Sequence, residues 1–173
     1  MDLPQLLALA RRVGREEFVQ RFDHPFLSRP RLSFTSFGHE EPGVVTDVRP
    51  FDNDAMRPAT VRFVPLVRRE TSPYSDRITV GRTANCDVVL QDRSVSKLHA
   101  LFWPAEDLSG WGVSDARSAN GTWLNEKRLT PLDRMPIKPG DLVRLGRLEV
   151  KFIDPTMLYE LLVRRLPRTL PPR

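Results

Sequence analysis

Residues 81–102 read GRTANCDVVLQDRSVSKLHALF, and their turns carry polar side chains that could bind an anion. Arg82 follows a glycine at the end of one apolar run, and Ser96 and Lys97 stand just before the next. Arginine offers a planar fork of donors, serine a short hydroxyl and lysine a point charge, and together these groups suit a phosphate. Since loops at strand ends display most binding groups, this spacing predicts a phosphate site formed by turns.

A second polar turn follows in residues 118–125, SANGTWLN. The amide of Asn120 both donates and accepts hydrogen bonds, which suits a contact with a peptide main chain. Gly121 is expected to adopt a positive φ, and Thr122 to begin the next strand. Asn-Gly is also the commonest dipeptide of tight hairpin turns, so the pair alone does not indicate a ligand.

The elements that must position these turns are short strands. In residues 60–154, apolar residues alternate with polar ones in runs such as RITVGR, KLHALFW and DLVRLGRLEVKFID. Sixteen prolines and nine glycines in the 173 residues favour many turns over a helical bundle. The pattern predicts an all-β sandwich or barrel, and the lack of βαβ alternation argues against a parallel α/β sheet.

The segment before this domain, residues 1–59, has a different residue pattern. Its first part predicts one amphipathic helix over residues 3–22, which could either pack on the domain or dock a partner. The rest is expected to be an irregular extension with a possible strand over residues 32–37, because it contains many prolines and no sustained period.

The segment after the domain, residues 155–173, is expected to form a helix and a Pro-rich tail. Asp154 is the predicted N-cap and Pro155 the first helical residue, since both types favour those positions. Pro167 is expected to end the helix, because proline cannot continue it.

Three motifs in order, Gly81-Arg82, Ser96–His99 and SANGTWLN, followed by KPGDLVRLG, resemble the forkhead-associated (FHA) domain. The resemblance covers residues 60–154. It implies an FHA-type β-sandwich of about eleven short strands that binds phosphothreonine peptides through loops at one end. The function expected from it is a signalling adaptor that binds proteins phosphorylated by Ser/Thr kinases.

The resemblance also implies individual roles in phosphopeptide binding. Arg82 is the expected principal phosphate contact, with the hydroxyl of Ser96 beside it and Lys97 at the rim. Asn120 is expected to hold the ligand main chain, and Ser118 of the same turn is counted among the phosphopeptide-binding residues. The residues expected to support the site structurally are Gly81, His99, Gly121 and Thr122.

The sequence departs from the family pattern at Ala119. Many members carry serine or threonine at this position, and its hydroxyl reaches the phosphate. The pocket is therefore expected to lack one hydrogen bond, worth about 1 kcal/mol. A phosphate-independent interaction module on the same scaffold is the alternative function.

Other functions have weaker support. Three histidines and one cysteine show no metal-ligand spacing and no nucleophile motif, so neither catalysis nor a cofactor is expected. The net charge of +5 is not concentrated in a dense basic run, which argues against nucleic acid. No apolar run approaches the ~20 residues of a membrane span, and one cysteine fits a reducing compartment, so a cytoplasmic protein is expected.

Overall fold

The computed structural model describes residues 3–29, 63–104 and 110–164, and its main feature is a pair of β-sheets. The six-stranded sheet has the order β2-β1-β11-β10-β7-β8 and the five-stranded sheet the order β4-β3-β5-β6-β9. The neighbouring strands are antiparallel except β3 and β4, which are parallel. The elements are α1 Leu3–Arg12, α2 Arg15–Gln20, β1 Phe26–Ser28, β2 Phe63–Pro65, β3 Ile78–Gly81, β4 Val88–Val89, β5 Ala100–Pro104, β6 Trp111–Asp115, β7 Thr122–Leu124, β8 Lys127–Arg128, β9 Met135–Ile137, β10 Leu142–Leu145, β11 Leu148–Ile153 and α3 Pro155–Val163.

The main core lies between the two sheets. Phe102 of β5 and Phe152 of β11 come from different sheets, and their rings stack with centroids 6.3 Å apart. Val80, Val113 and Val143 are fully buried beside them. Burial of alternate strand residues from both sides is what makes a sandwich stable. The predicted all-β sandwich with helices at both ends is therefore confirmed, with eleven strands in the described part of the chain.

One strand of the sandwich comes from the N-terminal segment. Residues Phe26–Ser28 form β1, which pairs with β11 on one side and β2 on the other. The sequence pattern predicted an irregular extension for this stretch. Three residues are too few to show a period of two, so the strand becomes recognisable only through its partners.

The N-terminal helix is divided in two. A single helix over residues 3–22 was predicted, but α1 ends at Arg12 and α2 begins at Arg15. Gly14 between them has an extended backbone, with φ −70° and ψ 172°. The break lets fully buried Phe18 join the same apolar cluster as Leu6. The prediction of one helix is therefore wrong.

A second apolar cluster joins the three helices to the sandwich. Phe26 of β1 and Ile153 of β11 contribute to it from the sheet, and Leu158 and Leu162 contribute from α3. Asp154 caps α3 by accepting a hydrogen bond from the Met157 N–H at 2.7 Å. Pro155 is the first helical residue, so the predicted start of this helix is confirmed.

Two predictions of the sequence analysis lie outside the described residues. These are the strand over residues 32–37 and the Pro-rich tail. The helix before the tail ends earlier than the predicted stop at Pro167, because α3 ends at Val163 with Arg164 as its C-cap. Among the helices that are described, none has the length and apolar character needed to cross a membrane.

Candidate functional site

Three loops meet at one end of the sandwich, next to the end of β3. The Arg82 N–H donates to the Ser96 carbonyl oxygen at 2.9 Å, which joins the first loop to the second. The Ala119 N–H donates to Ser96 Oγ at 2.9 Å, and Asn120 Nδ2 donates to the Ser94 carbonyl oxygen at 2.8 Å. The structure therefore brings Arg82, Ser96 and Asn120 together from three segments of the chain.

Gly81 makes the first of these loop contacts possible. A Cβ atom on Gly81 would lie 2.1 Å from the Lys97 carbonyl oxygen and 2.7 Å from Cys86 Sγ. Gly81 is the last residue of β3. Glycine is required here because a neighbouring backbone approaches closely, which is a recognised reason for glycine in strands.

Arg82 is anchored at one end of its guanidinium and open at the other. Its Nε donates to the Val95 carbonyl oxygen at 3.1 Å, and the residue is exposed. Neither Nη atom has a hydrogen-bond or ion-pair partner among the residues that the structure describes. The guanidinium is therefore held in position with two NH₂ groups available to an anion.

Ser96 and Lys97 lie beside Arg82 in the loop before β5. Ser96 Oγ accepts a hydrogen bond from Ala119 N–H, which leaves the hydroxyl proton available for donation. The carbonyl oxygen of Lys97 accepts from Thr83 Oγ1 at 3.0 Å, while its side chain is exposed. Within the described ranges the Lys97 ammonium has no ion pair, so its charge is available at the rim.

His99 lies behind the site and joins two of its loops. The imidazole is fully buried, and its Nδ1 accepts a hydrogen bond from Ser96 N–H at 2.8 Å. The proton must therefore be on Nε2, which lies 3.0 Å from the Gly121 carbonyl oxygen and donates to it. Burial lowers the pKa of His99 below its usual value, although the bond to Gly121 and the charge of Asp115 oppose this. The neutral imidazole is the form that fits both partners.

Ser118 has a different position from the one expected of a phosphate ligand. Its hydroxyl donates to Asp115 Oδ1 at 2.6 Å and accepts from Gly121 N–H at 2.9 Å. The single hydroxyl proton is thus used inside the loop, and none is left for a phosphate. In this geometry Ser118 supports the loop, and its place among the phosphopeptide-binding residues stays a prediction.

Asp115 is a supporting residue that the sequence analysis missed. It is 2% exposed, and its carboxylate accepts from the Ser118 N–H at 3.0 Å and from Thr122 Oγ1 at 2.6 Å as well as from the Ser118 hydroxyl. A buried carboxylate needs such donors to offset its desolvation. The available signal was its place three residues before Ser118, because Asp side chains organise the turns that follow them.

The turn that carries Asn120 has the geometry expected from its sequence. Gly121 has φ +82°, in the left-handed region, and Thr122 begins β7. Asn120 is exposed, and its Oδ1 has no hydrogen-bond partner in the described part of the chain. Its amide is thus held through Nδ2, with an acceptor left for a ligand N–H.

Gly146 closes the site from the six-stranded sheet and was not predicted. Its N–H donates to the Gly121 carbonyl oxygen at 3.0 Å, and its φ is +63°. A Cβ atom here would lie 2.4 Å from the Ser94 carbonyl oxygen. The motif KPGDLVRLG therefore places its last glycine where the two loops approach each other.

A second buried carboxylate, Asp87, supports β3 from the side. It accepts from Thr79 N–H at 2.8 Å, from Thr79 Oγ1 at 2.7 Å and from Arg69 N–H at 3.0 Å. Burial raises the pKa of Asp87, but the hydrogen bonds from Thr79 and Arg69 outweigh it and hold the pKa below the usual range. The carboxylate stays ionised and fixes the strand that leads into Arg82.

Comparison with known proteins gives a consistent result over this region. The family model described as "FHA domain" matches residues 78–146. The FHA domain-containing protein PS1 of Arabidopsis thaliana is 30% identical over 69 residues, which cover 40% of this chain and 5% of that protein. The E3 ubiquitin-protein ligase DMA2 of Saccharomyces cerevisiae is 33% identical over 85 residues, which cover 47% of this chain and 16% of that protein.

The chain thus spans a small part of the length of these two relatives, and the similarity lies in the region of the FHA domain. Among solved structures, the MEK1 FHA domain in complex with a phosphothreonine peptide of HOP1 is 28% identical, with a TM-score of 0.43. The alignment covers 54% of this chain and 88% of that one. Residues 78–146, which contain the three loops of the site, form an FHA domain.

Proposed function

We propose that this chain binds phosphothreonine-containing segments of partner proteins and acts as an adaptor downstream of Ser/Thr kinases. The observation that carries the proposal is the position of Arg82, Ser96 and Asn120. Hydrogen bonds tie all three to one loop junction, and each keeps a free donor or acceptor among the described residues. An FHA domain is a binding module, and this junction lies within the one identified here.

The chemistry of the junction suits a phosphate. Phosphothreonine carries a charge of about −1.5 to −2 at neutral pH and three strong acceptor oxygens. The free NH₂ groups of Arg82 and the hydroxyl of Ser96 would donate to these oxygens, and Lys97 would add charge at the rim. Hydrogen bonds to charged groups contribute about 1.5–3 kcal/mol each, so two or three support a reversible complex.

Asn120 would supply the contact with the ligand main chain. Its Nδ2 is occupied by the Ser94 carbonyl oxygen, so the available group is the Oδ1 acceptor. A ligand backbone N–H next to the phosphothreonine is the matching donor. This contact would orient the peptide without reading its side chains.

The proposed partner is a phosphorylated protein, and the proposed setting is the cytoplasm. Phosphate on a peptide accounts for the arrangement of Arg82, Ser96 and Asn120 better than nucleic acid or a membrane does, because the site is a small junction with one anchored arginine. Cys86 is buried and unpaired, which is compatible with a reducing compartment.

A phosphate-independent interaction module remains the second candidate, and one observation favours it. Ala119 has no hydroxyl, and the hydroxyl of the preceding residue, Ser118, is bonded to Asp115. A ligand phosphate would therefore find one donor fewer than the family pattern implies.

The test is a titration of phosphothreonine peptides and their unphosphorylated counterparts against the parent protein, Arg82→Ala and Lys138→Ala. Lys138 is an exposed residue on the β9–β10 loop, and its backbone N–H donates to the Asp141 carboxylate. Its replacement by alanine removes one positive charge, as Arg82→Ala does, but away from the loop junction. We expect phosphate-dependent binding that Arg82→Ala loses and Lys138→Ala retains. Equal binding of both peptide forms by all three proteins would support the phosphate-independent module instead.

A further inference from the structure

A row of side chains crosses the outer face of the six-stranded sheet beside the site. Arg144 of β10, Trp123 of β7 and Arg128 of β8 are direct partners across neighbouring strands. The residues on either side of Trp123, Thr122 and Leu124, are buried. Because successive strand residues point to opposite faces, the row lies on the face away from the core.

Trp123 holds the two arginines without neutralising them. The guanidinium carbon of Arg144 lies 3.6 Å from the centroid of the Trp123 ring, and that of Arg128 lies 5.5 Å from it. Glu149 faces Arg144 in the sheet register, but no ion pair joins them. Neither arginine has a carboxylate within 4 Å among the described residues, so both charges are available to a ligand.

The row ends at the phosphopeptide site. A Cβ atom on Gly121 would lie 3.0 Å from Arg128 Nε and 3.1 Å from the edge of the Trp123 ring. Arg144 Nη1 donates to the Gly146 carbonyl oxygen at 3.4 Å, and the Gly146 N–H donates to Gly121. The Arg128 guanidinium therefore lies beside Gly121, the residue that directly follows Asn120, and the Arg144 guanidinium is linked to Gly121 through Gly146.

A comparable stack of two arginines on a tryptophan lies on the five-stranded sheet, and it differs in having a carboxylate partner. Arg77 and Arg134 lie over Trp103, with guanidinium carbons 4.1 Å and 3.6 Å from the ring centroid. Arg77 also donates two hydrogen bonds of 2.9 Å to the carboxylate of Asp76. That stack includes its own anion, whereas the stack on Trp123 has none among the described residues.

We infer that Arg128 and Arg144, held on Trp123, bind a second anionic side chain of the ligand, a carboxylate or a second phosphate. This inference rests on the proposed function, since it places the second anion within a few residues of the phosphothreonine bound at Arg82. An extended peptide advances about 3.3–3.6 Å per residue, so a short segment leaving Asn120 reaches past Gly121 to the two arginines. Two guanidinium forks held on one tryptophan ring offer donors that match carboxylate or phosphate oxygens.

The experiment compares three sets of phosphothreonine peptides. The first has neutral residues around the phosphothreonine, the second has one Asp at each of the four positions on either side in turn, and the third has phosphoserine at those positions. The proteins are the parent, the double variant Arg128→Gln with Arg144→Gln, and the control Arg77→Gln with Arg134→Gln. The control removes the same charge from the stack on the opposite sheet.

We expect the parent and the control to bind the best anionic peptides about ten-fold more tightly than the neutral peptide, as one or two charge-assisted hydrogen bonds allow. The Arg128/Arg144 variant should lose this preference and bind the neutral peptide as the parent does. The Asp and phosphoserine sets distinguish a carboxylate from a phosphate as the preferred second anion. A variant in which both arginines are changed to lysine should retain part of the preference, because the charge remains and the fork is lost.

Three results would overturn the inference, and the third is distinguishable from the first two. If the parent binds every phosphothreonine peptide equally, or if the Arg128/Arg144 variant loses the neutral peptide as well while its melting temperature is unchanged, the second anion site is absent. If the parent shows no phosphate-dependent binding of the neutral peptide, the proposed function fails and the inference fails with it.

Discussion

His99 Nε2 lies 3.0 Å from the carbonyl oxygen of Gly121, and this hydrogen bond joins the loop before β5 to the turn before β7. The other ring nitrogen accepts from the Ser96 N–H. One fully buried imidazole thus fixes the relative positions of the two loops that carry the proposed phosphate and main-chain contacts.

The first prediction concerns pH. Burial lowers the pKa of His99 in the folded protein. As the pH falls towards and below about 6.5, the unfolded chain therefore binds more protons than the folded protein does. The free energy of unfolding should therefore decrease as the pH is lowered through and below that value. Urea unfolding between pH 8 and pH 5 measures this decrease.

The variant His99→Gln should be less stable at pH 8 by about 1–3 kcal/mol, because buried groups on Ser96 and Gly121 lose a well-placed partner. This variant should also lose the decrease in stability at low pH that His99 causes. The control is His24→Gln, which changes a histidine that contacts exposed Asp23 and should keep that decrease. An unchanged pH profile in His99→Gln would contradict the prediction. Unfolding is the appropriate measurement because phosphate itself titrates near pH 6.

The second prediction concerns the hydroxyl of Ser96. The variant Ser96→Ala should weaken phosphopeptide binding about five- to ten-fold, because a phosphate would lose one donor worth about 1–1.5 kcal/mol. Calorimetric titration measures the change. In comparison, Ser118→Ala should lower the melting temperature through loss of its bonds to Asp115 and Gly121. If Ser118→Ala weakened phosphopeptide binding without lowering the melting temperature, the Ser118 hydroxyl would have to turn towards the ligand in the complex.

The third prediction concerns the departure at Ala119. This residue is exposed, and its N–H already orients Ser96 Oγ. The variant Ala119→Ser should add a hydroxyl beside the phosphate and strengthen binding about five-fold, since one more hydrogen bond contributes about 1 kcal/mol. The same titration with phosphorylated and unphosphorylated peptides measures the effect. A gain that is equal for both peptide forms would show that the new hydroxyl does not contact the phosphate.

The fourth prediction concerns Gly81. A methyl group at this position would meet the Lys97 carbonyl oxygen at 2.1 Å, so the end of β3 and the loop before β5 would have to separate. We expect Gly81→Ala to lower the free energy of unfolding by about 1–3 kcal/mol. Gly110→Ala is the matched control, because no atom of the described residues lies within 4 Å of its Cβ position. Equal stability of the two variants in urea would show that the backbone adjusts without cost.

The sequence predicts the elements that depend on a few neighbouring residues. Alternating apolar residues indicate the strands, Asn120-Gly121 indicates the turn in which Gly121 has a positive φ, and Asp154-Pro155 indicates the start of α3. Each signal arises from backbone preferences or side-chain periods that act within one turn or one strand. The spacing of the glycine, serine and asparagine motifs also selects the family, and so the expected site.

The tertiary structure decides features that depend on contacts between distant segments. Gly81 is required because a carbonyl from Lys97 approaches it, and Ser118 is turned to buried Asp115 rather than to the ligand side. The pairing of β1 and the break between α1 and α2 likewise depend on partners far along the chain. Arg128 and Arg144 share the Trp123 ring only because β7, β8 and β10 are neighbours in the sheet. The physical reason is that close approach, burial and cross-strand register are properties of two segments together, and neither segment encodes them alone.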